Sequence, residues 1–312
     1  MEFLLALVTT GDALLHSTLV AAAPLLLAAL GETLVQRAGI INIGLEGILL
    51  VGAFAGMTTC YATGSPVLGV CAGALSGLLL ALLFAAVTVQ LSADQIVVGV
   101  SLNLLALGLT GVLYRGIFGI TGQALQVTTF SPVSIPFLSQ IPVLGPSLFQ
   151  HTVLVYLAVV LVPLFTFFLF HLRAGLQLQA VGEHPQAAET LGISVRKTRI
   201  LALAVEGILG GIAGSYLSLA YSNTFIEGMS AGRGFIALAI VIFGRWTPTG
   251  VLWGALFFGA ATALQFYLQA LGSAIPYQFV LMLPYVLTLV ALMLLRTRSS
   301  APAALGEPYT RE

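Results

Sequence analysis

Charge is what this chain has least of. Eleven basic and eleven acidic residues serve 312 positions, and Lys197 is the only lysine. A soluble domain carries about a quarter charged residues, so a share of 7% excludes a soluble globular protein, a disordered segment and a nucleic-acid-binding surface. Cysteine is almost missing. Cys60 and Cys71 have no metal-type spacing and read as buried, inert thiols rather than as a disulfide. Catalytic signatures are missing as well: there is no H-E-x-x-H, nucleophile elbow or Ser/Lys dyad. His16, His151 and His171 sit at expected helix ends, and His184 lies in a loop. The lone lysine follows Arg196 rather than glycine, so there is no Walker A loop and no ATP site. Neither an enzyme nor a cofactor is expected. Nothing basic precedes Arg37, which argues against a signal peptide.

What is present is apolar length. The chain is 59% hydrophobic, and its mean hydropathy is +1.06. A bilayer-crossing helix needs about 20 mostly apolar residues. Nine runs qualify: 18–36, 42–61, 67–90, 95–114, 152–171, 199–221, 229–244, 250–271 and 277–295. The expected fold class is all-α, a polytopic transmembrane bundle over 1–295 with a tail at 296–312. The seventh run is short and carries Arg233. Residues 1–16 are apolar but interrupted from Thr9 to Asp12, and are read as an interfacial helix. In the segment 119–151, Pro132, Pro136, Pro142 and Pro146 preclude a regular helix; an extended outer cap or shallow re-entrant loop is expected there.

Basic residues orient the stack, because cytoplasmic loops retain Lys and Arg. With 172–198 inside, Arg37, Arg173, Arg196, Lys197, Arg199, Arg245, Arg296, Arg298 and Arg311 all fall inside. Only Arg115 and Arg233 lie toward the outside. The N-terminus is then outer and the C-terminus cytoplasmic. Glycine pairs at four-residue spacing, such as Gly52/Gly56, Gly73/Gly77, Gly207/Gly211 and Gly210/Gly214, read as helix-packing faces.

Acids inside apolar runs are expensive and mark function by default. Glu32, Glu46 and Glu206 are three such residues, while Asp94 sits at a helix junction as a cap. Asn42 and Glu46 share a helical face. With Asn103 and Arg233 they are candidates for a polar pathway lining; the alternative is an interhelix hydrogen bond or, for Arg233, a snorkelling side chain. Trp246 reads as an interfacial anchor. In the 172–198 loop, Pro185 could open a short helix that Gly192 stops.

Four stretches resemble a known family. GETLVQRAGIINIGLEGILLVGAFAG (31–56) is similar to the opening signature of permease subunits of ABC importers for nucleosides, in the broader group of ribose and branched-chain amino-acid permeases. VGEHPQAAETLGISV (181–195) resembles that group's cytoplasmic loop, G-E-N-P-x-A-A-x-x-x-G-I. GRGFIALAIVIFGRWTPTG (232–250) and APAALGEPY (301–309) resemble the nucleoside subgroup. His184 replaces the usual asparagine, Leu191 a usual alanine, and Glu206 stands where a small residue is usual.

The resemblance implies the fold of a type II ABC importer permease in a bacterial inner membrane, paired with a second permease subunit, commonly a different one. It implies a cytoplasmic ATPase docked on the inner loop, and an extracytoplasmic substrate-binding lipoprotein. Carried onto this chain, Gly182, Glu183, His184, Pro185, Ala187, Ala188 and Gly192 would form the coupling helix. The rival expectation is an ion-coupled secondary transporter using Glu46 and Glu206. A faint echo of 44–56 in 204–214 is the only trace of the repeats such proteins carry.

Overall fold

The computed structural model describes residues 2–119, 125–141, 144–270, 278, 279, 282, 286, 287, 290 and 301–309. Its helices are α1 (Glu2–Arg37), α2 (Leu45–Thr63), α3 (Pro66–Ala85), α4 (Gln95–Phe118), α5 (Leu144–Phe149) and α6 (Val153–His171). Then follow α7 (Arg173–Glu183), α8 (Pro185–Thr190), α9 (Val195–Tyr216), α10 (Arg233–Phe243) and α11 (Pro248–Ala270). Single π turns, Ala86–Gln90 and Leu217–Tyr221, prolong α3 and α9.

Seven of these helices are long and apolar enough to cross a bilayer: Gly11–Arg37, Leu45–Thr63, Pro66–Gln90, Gln95–Phe118, Val153–His171, Val195–Tyr221 and Pro248–Ala270. They correspond to seven of the nine expected runs. The ninth, 277–295, lies largely outside the described residues. The seventh is the 11-residue α10. At 1.5 Å per residue it is about 16 Å long, against about 30 Å of hydrocarbon, so it is half a span.

The N-terminal expectation needs correcting. Residues 2–37 form one helix, with no break at Thr9 to Asp12. A single glycine costs a helix only about 1 kcal/mol, too little to end one that neighbouring turns continue. The 172–198 loop also holds more structure than the short helix read from it. α7 precedes α8 and turns its buried Gly175, Leu178 and Val181 toward the bundle.

Glycine builds the centre. A Cβ on Gly52 of α2 would stand 2.6 Å from the Gly211 carbonyl oxygen of α9, and one on Gly207 would stand 2.7 Å from the Gly77 oxygen of α3. No side chain fits at those distances, so three backbones meet along a single seam. Ser215 secures it, donating to the Gly211 carbonyl at 2.9 Å and the Gly52 carbonyl at 3.3 Å. Around the seam, α3 and α4 present leucines and valines outward, among them Leu75, Leu79, Leu104 and Val112, as lipid-facing helices do.

Both cysteines are free, but only Cys60 is buried; Cys71 is exposed on α3. The proline-rich segment forms a small cap. In it, Val133–Ser134 pairs antiparallel with Gln150–His151 beside the short α5. The His151 ring stacks on His16 at 4.5 Å, tying the cap to α1. Burial holds the His151 imidazole below its ordinary pKa.

Candidate functional site

Two interruptions of helix flank the start of α2 inside the bundle. The first is 38–44, between α1 and α2. Asp94 caps α4 by accepting from the Ile96 and Val97 amides at 2.9 Å, and the next residue, Gln95, accepts from the Ile41 amide at 2.9 Å. Gly39 has φ +85°, which reverses the chain after Arg37 so that Asn42 re-enters the bundle. Asn42 is wholly buried. Its amide nitrogen donates to Glu206 Oε2 at 2.8 Å, and its oxygen accepts from the Gly44 amide at 3.0 Å. Glu206 lies seven residues into α9 from Arg199, about 10 Å along the axis.

Glu32 joins the same cluster. Its Oε1 accepts from Gln36 at 2.7 Å and from the Asn42 amide at 3.4 Å. Asn42 therefore bridges the two acids, its backbone amide on Glu32 and its side-chain amide on Glu206. Each acid is fully buried, and each keeps one oxygen, Glu32 Oε2 and Glu206 Oε1, without a donor. Gln36 continues the network by accepting from the Trp246 indole at 2.7 Å. Trp246 is therefore a buried link to the end of α10, only 5% exposed, rather than an interfacial anchor.

The second interruption is 222–232, between α9 and α10. Asn223, Gly228, Ala231 and Gly232 all have positive φ there. The half-span α10 starts inside the bundle with its first amides open, and Glu46 of α2 fills them. Its two carboxylate oxygens accept from the Gly232 and Gly234 amides, both at 2.7 Å. A carboxylate at a helix N-terminus answers both the unpaired N–H groups and the dipole. Gly234 is required by this approach, since a Cβ would stand 2.5 Å from the Glu46 backbone.

Asn103 of α4 supports the same point. It accepts from the Gly47 amide at 2.7 Å and donates to the Ile43 carbonyl at 2.9 Å. Arg233 donates to the Met229 and Ser230 carbonyls at 2.9 and 3.3 Å, and its guanidinium lies 5.5 Å from the Tyr221 ring centre. The four residues singled out from sequence therefore gather at the two interruptions, Asn42 at the first and Glu46, Asn103 and Arg233 where the second meets α2. Asn42, Glu46 and Asn103 hold partners on other elements, while the Arg233 hydrogen bonds stay in the turn before its own helix.

Glu227 escaped notice in the sequence, although it forms a bidentate pair with Arg115 at 2.9 and 2.8 Å. This pair, partly open to solvent, joins the second interruption to α4. The Arg115 guanidinium holds the Glu227 carboxyl below the usual carboxylate range.

The seven predicted coupling residues form one helix–turn–helix unit at the end of the bundle where α1 finishes. Glu183 ends α7, His184 (φ −143°) breaks the helix, and Pro185 opens α8. Gly192, at φ +84°, ends the turn after it. Gly182 is seated against the Arg37 carbonyl with no room for a side chain. Ala188 packs with Val181 and Val195, while Glu183, His184 and Ala187 face outward. Leu191 is 81% exposed, so the unit offers an apolar residue at its tip.

A multi-pass bundle with a half-span and two interruptions at the start of one span has the build of a membrane permease. Residues 14–293 match the family described as branched-chain amino acid transport system, permease component, and the chain belongs to that family. It is 39% identical over 304 residues to the guanosine ABC transporter permease protein NupQ of Bacillus subtilis, covering 95% of each chain. It is similar to a putative glucose ABC transporter permease protein of Haloferax volcanii, at 38% identity over 96% of this chain and 98% of that one. The nucleoside ABC transporter permease protein NupC of Lactococcus lactis matches at 39%, over 97% and 98%. These two bacteria each hold a second relative with the same substrate in its name, NupP at 26% and NupB at 25% identity. No solved structure matches the chain.

Proposed function

We propose that this permease is the membrane subunit of an ATP-driven importer for nucleosides. The observation that carries the reading is end-to-end identity of 39% with two permeases named for guanosine and for nucleosides. A monosaccharide is the second reading, favoured by the 38% match to the permease named for glucose. An ion-coupled mechanism would need Glu46 and Glu206 free to exchange an ion. Glu46 instead has both oxygens on the α10 amides, and Asn42 holds one oxygen of Glu206.

Energy comes from a separate cytoplasmic ABC ATPase that grips α8. Support for this is a short exposed helix that touches the bundle through Ala188 and is followed by the exposed Leu191. The excess of Lys and Arg at that end of the chain supports its being cytoplasmic, together with a tail at 296–312; residues 1–295 are the membrane domain. A second, different permease completes the pore, a reading supported by the paired relatives in two bacteria. A binding lipoprotein delivers solute to the opposite face.

Asn42, Glu46, Asn103 and Arg233 line or brace the pathway, because the two interruptions are the parts of the bundle able to rearrange without unwinding a continuous helix. Alternating access is then a two-state motion of whole spans. The test is uptake of labelled guanosine into vesicles holding the chain with its partner subunits. Uptake should require ATP and survive collapse of ion gradients; uptake driven by a gradient without the ATPase would overturn the reading.

A further inference from the structure

Residues 301–309 lie beyond the last expected span, yet they are built into the α8 end of the bundle. The Ala304 amide donates to the Gly182 carbonyl at 2.9 Å, and the Gly306 amide to the Gly39 carbonyl at 3.1 Å. The Ala303 amide donates to Glu183 Oε2 at 3.2 Å. From α9, Arg199 reaches both the tail and the end of α1. Its guanidinium donates to the Glu307 carbonyl at 3.3 Å and the Ala38 carbonyl at 3.1 Å, and it stands 6.0 Å from the Tyr309 ring centre. Arg199 is 2% exposed, so this is a built junction and not a surface contact. Gly39 marks how tight it is: a Cβ there would lie 2.9 Å from Arg199 Nη2 and 3.1 Å from the Ala304 oxygen.

By itself α8 is poorly anchored. It has six residues and buries only Ala188, and so short a helix has little stability of its own. Tyr309 packs against the Val181, Ala188 and Val195 cluster beneath it. A recess of about 410 Å³ separates α8 from the tail, with Pro185 and Gln186 on one wall and Glu307 and Pro308 on the other.

We propose that residues 301–309 are a strap fastening α8 to the ends of α1 and α9, so that displacement of α8 is passed to the two spans carrying Glu32 and Glu206. The proposal rests on α8 being the coupling helix. The strap supplies the stiffness that six residues lack: one segment is hydrogen-bonded to α7 and to the chain leaving α1, and is gripped by α9.

The test uses the whole complex, with the chain cut after position 300 and, separately, Tyr309→Ala. Hydrogen exchange at the Ala188, Gly192 and Ile193 amides should rise at least tenfold in the truncated chain. Uptake per ATP hydrolysed should fall severalfold while the ATPase still co-purifies. Tyr309→Ala should move both readings in the same direction by less, and it decides the matter if the truncated chain fails to insert. Unchanged exchange, or unchanged uptake per ATP, overturns the strap. Loss of the ATPase from the truncated complex also overturns it, since the tail would then be a docking contact. Deleting Pro185 to Ala188 separates the two ideas. If that deletion uncouples transport while the truncation does not, only the strap falls; if neither uncouples it, the coupling role of α8 falls first.

Discussion

Replacing Glu46 probes the place where the half-span begins. Its two oxygens receive the Gly232 and Gly234 amides at 2.7 Å. A hydrogen bond to a charged group contributes roughly 1.5–3 kcal/mol, and a carboxylate at a helix N-terminus adds about 0.3–1 kcal/mol. Glu46 is only half-buried, which favours the low end of those ranges. Glu46→Ala should then cost about 3 kcal/mol. Glu46→Gln keeps one accepting oxygen but turns an N–H toward a backbone N–H, and should cost about half as much. At roughly 2–4 °C per kcal/mol, the alanine variant should unfold about 6–12 °C lower in a thermal scan of the detergent-purified complex. Uptake should fall alongside if the proposed pathway runs there, because an uncapped α10 would fray at its first turn. A glutamine variant with unchanged unfolding temperature and uptake would refute the capping argument, since a neutral amide cannot reproduce both bonds.

Gly211→Ala should destabilise by about 1–3 kcal/mol, the usual range for overpacking, because its new methyl meets the Gly73 carbonyl; Gly108→Ala, into open space, should be neutral or stabilising, and parallel unfolding scans check both. Glu206→Gln should preserve stability, because a glutamine keeps an oxygen for the Asn42 side chain to donate to, whereas Glu206→Leu strands Asn42 and should lower yield and unfolding temperature. The Arg115–Glu227 pair predicts a pH dependence. Its depressed carboxyl pKa contributes a little stability that is fully present above the unfolded glutamate value of about 4.3 and is lost as pH falls through the folded value. Unfolding scans of Glu227→Gln should lack that acid-side loss.

Hydropathy made the full spans legible, because twenty apolar residues in a row have few other fates. α8 was legible from Pro185 and Gly192, whose backbone preferences punctuate the chain wherever it folds. α7 was missed because its signal is amphipathic: Leu178 and Val181 are one helical turn apart among polar neighbours. The half-span could be suspected from its length, but its direction could not. Nothing near Arg233 says that its helix begins inside the bundle, since the partner that caps it is 186 residues away in sequence. Glu227 sits in a turn and looks like any loop acid until Arg115 folds beside it. The seat of the tail was hidden for the same reason. Arg199 reads as one more inward-biased charge, and only the fold turns it into a buried clasp.

Coupling through α8 requires that this helix meet a nucleotide-driven partner on the cytoplasmic side. Ala187 is exposed on that helix, so Ala187→Cys carrying a short photoactivatable cross-linker tests this directly in intact vesicles of known orientation. A cross-link to the ATPase subunit is expected, with labelling blocked by a reagent that reaches only the cytoplasmic face. Labelling from the opposite face, or a cysteine that captures no ATPase while the complex transports normally, would contradict it.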